Sequence, residues 1–440
     1  MTARRTPAVS EVADKATAGA AEPVVKVTER LDDGVRRSVL PDGTVVLTER
    51  MDSVRSAAVG LWVRSGTAHE DPELRGISHL LEHMVFKGTG RRSAHEIAAT
   101  VEGTGGSLDA YTTHEHTAFQ VRVPADHLET GLDVLSDLAF EPVLRQSDLD
   151  LEREVVLEEI ARVEDTPDDL VFELHSEFMY GDHPYGSPIL GTRESVNAIG
   201  VRELRALHET AYRPGNMVVA AAGQVDHEDV VERVLRLWPR GRGEMAVPDV
   251  TALGVTGRGR RVVDRPGGRQ VHIVAGCRGL EHGHPLRHAV LVVGQALGGG
   301  MSSRLFQQIR ERLGLAYSVF SFQSFYAQGG HIGAYLGTRA DSAEPALDAL
   351  LGEFSKLASD GLSAEELAGT REQIKGQILL SLESPAARMN RLAATALFGE
   401  PYRTIDELAG VIDSIGPDEA ASAASLYDPE GVAVLELRPS

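Results

Sequence analysis

Apolar and polar positions along this chain recur in an order that is run through twice. A turn signal, Leu40-Pro41-Asp42-Gly43-Thr44, between two alternating runs predicts a hairpin. An apolar run over 57–63 predicts a strand, followed by a helix carrying His79 and His83 and a short helix near 93–101. A long strand over 108–123 comes next, then helices near 129–139 and 145–164 and further helices to about 210. A strand at 217–222 and a helix at 227–237 close this half. After a Gly- and Pro-containing stretch, 239–259, the order restarts with a strand at 270–276 and helices at 285–297 and 302–312. A long strand region, 317–337, several helices and a closing strand, 431–437, complete it. Few identities link the halves, so the duplication rests on the order of elements. The expected fold is α+β: two structurally similar repeats, each a mainly antiparallel sheet with helices packed on one face. The expected boundaries are a loosely attached tail at 1–26, a first domain at 27–240, a linker at 241–259 and a second domain at 260–440.

Composition narrows the class without naming it. The length of 440 residues exceeds one ordinary core, and 42% hydrophobic with 25% charged residues is a globular balance. No apolar run nears the roughly 20 residues of a membrane span, so no membrane partner is expected. Arg4 and Arg5 precede no apolar stretch, so the N-terminus does not read as a secretory signal, and Glu11 and Asp14 argue against a transit peptide. The single Cys277 excludes an internal disulfide and fits a reducing compartment; its apolar strand context marks it as buried filler. A cytoplasmic protein is expected. The net charge of −21 argues against nucleic acid and favours cationic partners.

The chemistry begins at His79-Leu80-Leu81-Glu82-His83. On a helix, residues four apart share a face, so both imidazoles can meet one tetrahedral Zn²⁺. Glu82 reaches past them toward solvent, where a carboxylate can act as general base. Given 16 His in 440 residues, chance supplies such a pattern only about 0.04 times in this chain. Catalytic zinc needs a third protein ligand. The segment 145–164 has apolar residues at Leu149, Val155, Val156 and Ile160 and acids on its other face, an amphipathic helix. Glu152 and Glu159 lie two turns apart on one stripe. Spacing alone does not choose between Glu158 and Glu159, and a solvated acidic face would account for the run as well. His114 and His116, two apart in the expected strand, would share a face; His282 and His284 read as loop residues.

The His79–His83 motif followed by Glu152-Arg153-Glu154-Val155-Val156-Leu157-Glu158-Glu159 resembles the pitrilysin/insulinase family of inverted zinc peptidases, especially the short-chain branch that includes the β subunit of mitochondrial processing peptidase. Gly105-Gly106 before Asp109-Ala110-Tyr111-Thr112, His183-Pro184-Tyr185-Gly186, Tyr212 to Met217 and Gly298 to Tyr317 extend the resemblance over most of the chain. It implies one Zn²⁺ per chain on His79, His83 and Glu159, with Glu82 as general base and Glu152 as a supporting carboxylate that fixes a ligating imidazole. It implies that Asp109 and Ala110 lie on a strand that pairs with an extended peptide; the family commonly has Asn at the first position, and Asp109 cannot donate as that amide does. Arg310 and Tyr317 match a pair that faces the zinc and supports the oxyanion. Asp169 and Glu173, four apart on a helix, match acids that receive a basic substrate residue. The second half has no HxxEH, so only one copy holds metal.

The resemblance therefore implies a zinc metalloendopeptidase cleaving unfolded or short basic peptides in a homodimeric chamber. Two alternatives stand beside it: a non-catalytic peptide-binding or assembly protein of the same fold, and the catalytic half of a heterodimeric processing peptidase.

Overall fold

The computed structural model describes residues 25, 27–239, 249–254 and 257–440. Most of the expected tail and part of the expected linker lie outside the described residues.

The first half contains strands β1 (Val27–Asp32), β2 (Val35–Val39), β3 (Val45–Arg50), β4 (Ser56–Val63), β5 (Ser107–Thr112), β6 (Thr117–Pro124) and β7 (Met217–Gly223). Its helices are α1 (Ile77–Val85), α2 (Ala94–Glu102), α3 (Leu128–Phe140), α4 (Gln146–Asp165), α5 (Pro167–Tyr180), α6 (Arg193–Ala198), α7 (Val201–Ala211) and α8 (His227–Leu237). The second half has β8 (Gly259–Arg265), β9 (Gln270–Gly279), β10 (Ala316–Tyr326), β11 (Gly329–Arg339) and β12 (Ala433–Pro439). Its helices are α9 (Arg287–Gly298), α10 (Ala343–Asp360), α11 (Ala364–Ser381), α12 (Pro385–Leu397), α13 (Ile405–Ser414) and α14 (Pro417–Ala424), with a π-helical segment at Phe306–Arg312.

The duplication is visible in the sheets. The first runs β1-β2-β3-β7-β4-β6-β5, the second β10-β11-β9-β12-β8. Read from the other edge, β8-β12-β9-β11-β10 repeats β3-β7-β4-β6-β5 strand for strand. The one parallel contact in each, β3 with β7 and β8 with β12, falls at the same place. The expected α+β class with mainly antiparallel sheets holds. Helices α1 and α3 pack on one face of the first sheet, α9 and α10 on one face of the second.

A helix from the opposite half covers the remaining face of each sheet. Met389, Leu392 and Ala393 of α12 pack onto Leu47, Trp62 and Ala220 of the first sheet. Val171 of α5 packs onto Val274, Tyr335 and Leu435 of the second. Strands buried on both sides read as continuous apolar runs rather than alternating ones, which is why all seven residues of β7 are buried.

Several expectations need correction. The expected strand over 108–123 is two strands, β5 and β6, with a turn between them. His114 and His116 occupy that turn and do not form a metal pair: His114 Nδ1 meets Thr67 Oγ1 at 2.9 Å, whereas the His116 ring packs against Tyr111 and Phe398. The region 317–337 is likewise a hairpin, β10 and β11. β8, beginning at Gly259 beside the expected boundary, is a strand that was not expected there. Cys277 is 3% exposed, and burial pushes its thiol up to about 12, so it is the expected inert filler.

Candidate metal centre

Helix α1 is held in place from both ends of its chemistry. Its N-cap, Gly76, has φ of 90°, and a Cβ there would come within 2.5 Å of the Leu190 carbonyl oxygen, so only glycine fits. The Gly76 and Ser78 amides donate to the Glu70 carboxylate at 2.8 and 2.7 Å, satisfying donors that an α-helix leaves free. Burial pushes the Glu70 carboxyl up to about 7, opposed by those amides. Leu80, Leu81, Met84 and Val85 are fully buried and anchor one face of the helix. His79 and His83 project from the other, with ring centroids 4.6 Å apart.

Helix α4 brings the carboxylates. Leu149, Val156 and Ile160 are buried; Val155, read from sequence as part of that stripe, is instead 44% exposed. Glu159 Oε2 lies 3.6 Å from His79 Nε2 and 3.7 Å from His83 Nε2. Those distances are too long for good hydrogen bonds and close to the about 3.3 Å separating ligands around a tetrahedral ion held at about 2.0–2.1 Å. One donor atom from each of His79, His83 and Glu159 falls within 4.8 Å of the others, the one such group among the described residues. Glu158 is exposed and stands outside it. Burial, then the neighbouring His83, lowers His79 to about 3, so it stays the neutral imidazole that a metal requires. Two imidazoles, a carboxylate and a polar surround fit Zn²⁺.

Around this group stand residues that orient it. Glu152, 6% exposed, accepts from His83 Nδ1 at 3.2 Å through Oε2, while Lys87 Nζ meets its Oε1 at 2.6 Å. Thr112 Oγ1 donates to Glu82 Oε2 at 2.6 Å. Burial pushes the Glu82 carboxyl up, and the Thr112 hydrogen bond opposes it. Sequence reading passed over Glu70 and Lys87 and quoted Thr112 without a role. Lys87 lies four residues past His83, a spacing that could have been noticed; the pairing of Thr112 with Glu82 depends on the β5 hairpin returning to α1, which no local pattern encodes.

The other candidates are more dispersed. Asp109 and Ala110 lie on β5, the edge strand of the first sheet, with Asp109 exposed. Asp169 and Glu173 lie on α5; burial, then Asp169 and Glu164, raises Glu173 to about 7. Arg310 and Tyr317 are together, the guanidinium 4.7 Å from the ring centroid, and Tyr317 is 78% exposed. No hydrogen bond or ion pair among the described residues joins this pair to the His79 group.

Comparison with known proteins places this geometry in a family. Residues 45–193 match the model described as "Insulinase (Peptidase family M16)", and residues 198–374 match "Peptidase M16 inactive domain". The chain belongs to peptidase family M16. Within it, the chain is 37% identical over 433 residues to an "Uncharacterized zinc protease" of Streptomyces coelicolor, covering 96% of this chain and 94% of that one. It is 35% identical over 410 residues to the "Uncharacterized zinc protease YmxG" of Bacillus subtilis, covering 92% and 98%. A crystal structure of a protease from Helicobacter pylori shares the fold with a TM-score of 0.85 at 20% identity, over 92% of this chain and 99% of the other. The pitrilysin/insulinase resemblance is thus the family itself, and the match to the part of M16 described as inactive, residues 198–374, contains no HxxEH. No helix among the described residues is long and apolar enough to cross a membrane.

Proposed function

We propose that this M16 member is a zinc metalloendopeptidase that binds one Zn²⁺ on His79, His83 and Glu159 and cleaves unfolded or short, basic peptides. As a member of this peptidase family, with relatives named zinc protease, the chain is a zinc-dependent metallopeptidase. The observation that carries the reading is the spacing of two imidazole nitrogens at 3.6 and 3.7 Å from one carboxylate oxygen, with Glu82 beside them.

Bound zinc supplies Lewis acidity, polarising the scissile carbonyl and acidifying a water. The chain's own groups do the rest. Glu82, held through Oε2 by Thr112, keeps Oε1 to take the proton of the attacking water and pass it to the leaving amine. Glu152 fixes the His83 ring through Nδ1, leaving Nε2 for the metal. β5, unpaired on its outer side, offers Asp109 and Ala110 as a backbone ladder for an extended peptide, which excludes folded substrates. Asp169 and Glu173 receive a basic side chain, in keeping with the net charge of −21.

Arg310 and Tyr317 complete the site from the partner of a homodimer, where the tyrosine hydroxyl donates to the oxyanion and the arginine positions the peptide carbonyl. Tyr317 lies 78% exposed, as a residue awaiting such a partner would be. We place the enzyme in the cytoplasm, in line with its single buried thiol.

The test is hydrolysis of a quenched basic peptide by wild-type, chelated and Glu82→Gln protein. Loss of turnover in the last two is expected, and equal rates in all three would remove the mechanism.

A further inference from the structure

Between α9, α11, α12 and α13 of the second half a cavity of about 430 Å³ opens. That volume is within the about 300–1,000 Å³ of small-molecule sites. Leu291, Ile374, Ile378, Leu408 and Ile412 give it an apolar lining.

The charged part of its lining is mostly cationic, in a chain of net charge −21. Arg287, Arg391 and Arg403 line it against a single carboxylate, Glu400. Arg287 holds both Glu400 oxygens, and His282 Nδ1 meets the same carboxylate at 2.7 Å, so that charge is spent locally. Arg391 and Arg403 have no ion pair among the described residues. The Arg391 Nη2 reaches the Arg403 carbonyl and the guanidinium lies over the Tyr402 ring, but Nη1 is buried with no hydrogen-bond partner. Gln323 Oε1, also lining the cavity, is a buried acceptor with no donor.

An orphaned guanidinium donor, a second arginine without a counter-ion, an orphaned amide acceptor and an apolar wall demand different things of one ligand. A carboxylate answers the arginines, an amide N–H answers Gln323, and an apolar side chain answers the wall. We propose that this cavity, separate from the metal centre, binds the free C-terminal end of a short apolar peptide. The carboxylate lies between Arg391 and Arg403, the last amide N–H donates to Gln323, and the terminal side chain rests on Leu291 and Ile378.

The test is calorimetric titration of the full chain with N-acetyl-Ala-Leu, with its C-terminal amide, and with octanoate. One molecule of the acid per chain is expected, with the amide weaker by roughly tenfold or more, the size of one charge-assisted hydrogen bond. Arg403→Gln weakens the acid similarly and leaves the amide unchanged; Arg403→Lys, which keeps the charge, retains binding and serves as the control for folding. Octanoate, which shares the head and tail but lacks the amide, binds more weakly than the peptide. Equal affinity for acid and amide, undiminished binding by Arg403→Gln, or loss of acid binding on chelation would overturn the site. Octanoate binding as tightly as the peptide would overturn the assignment of a peptide end.

Discussion

His83 and Glu152 are separated by 69 residues in sequence and by 3.2 Å in space, Nδ1 to Oε2. The carboxylate thereby dictates which nitrogen of the ring is left for a metal. Lys87 Nζ, 2.6 Å from the other carboxylate oxygen, holds Glu152 in place. Replacing Glu152 by Gln is expected to weaken zinc binding by about 10- to 100-fold, because an amide holds the ring less firmly and makes it a poorer base. Chelator competition on the two proteins measures it; unchanged affinity would mean that Glu152 does not act through His83.

Thr112→Val separates orientation from proton transfer. The hydroxyl donates at 2.6 Å to the Glu82 oxygen that is not assigned to water, so its loss frees the carboxylate to turn without removing it. Turnover should fall by roughly tenfold, the size of one charge-assisted hydrogen bond, with zinc content unchanged. Glu82→Gln should fall by about 10²- to 10⁴-fold, the range for loss of a general base. Steady-state rates together with metal analysis distinguish the two.

The candidate metal group was legible in part because helix periodicity ties chemistry to spacing: His79 and His83 declare themselves within five residues. Spacing left Glu158 equal to Glu159 and only the resemblance chose between them; in the fold the burial of Leu149, Val156 and Ile160 turns α4 so that Glu159 faces the rings. The strand over 108–123 was misread for a related reason. The turn at 113–116 is Thr-His-Glu-His, without Gly or Pro, and is stabilised by Thr113 Oγ1 accepting from the Glu115 and His116 amides. β8 was hidden because five of its seven residues are exposed, so it carries little apolar signal and exists through pairing with β12. The exchanged helices α5 and α12 were legible as helices, but the sheet that each covers was not, because an apolar stripe does not state its partner.

If Glu173 receives a basic substrate residue as proposed, selectivity is expected to depend on pH. The folded value of Glu173, about 7, is above the ordinary glutamate range, so the group is mostly protonated below pH 6 and mostly ionised above pH 8. A cationic substrate residue pairs with the ionised form. Preference for a peptide with arginine over its norleucine analogue should therefore rise with pH, by up to about tenfold between pH 6 and 8, following the ionised fraction. Using the ratio of kcat/KM for the two peptides cancels the titration of groups common to both. Glu173→Gln should give a flat ratio; a wild-type ratio that is flat or falls with pH would remove Glu173 from recognition.

The exchange of α5 and α12 should make the two halves unfold as one. Leu392 is fully buried on α12, yet its neighbours Met389, Trp62 and Ala220 include residues of the first sheet, so its side chain stabilises a contact between halves more than the core of its own. Leu392→Ala removes three heavy atoms from that contact and should cost about 2–5 kcal/mol. The loss falls on docking, whereas the core built on Leu347, Leu350 and Phe354 is untouched. The chain has two tryptophans, and they report on different places: Trp62 is at the α12 contact, Trp238 in the first core beside Phe140. In urea, the wild type should show one transition at both positions. In Leu392→Ala, read through single-tryptophan variants with Phe at the other position, the Trp62 signal should change at lower urea than Trp238. Coincident transitions, shifted together, would mean that α12 is not the weaker seam and that the halves are joined chiefly elsewhere.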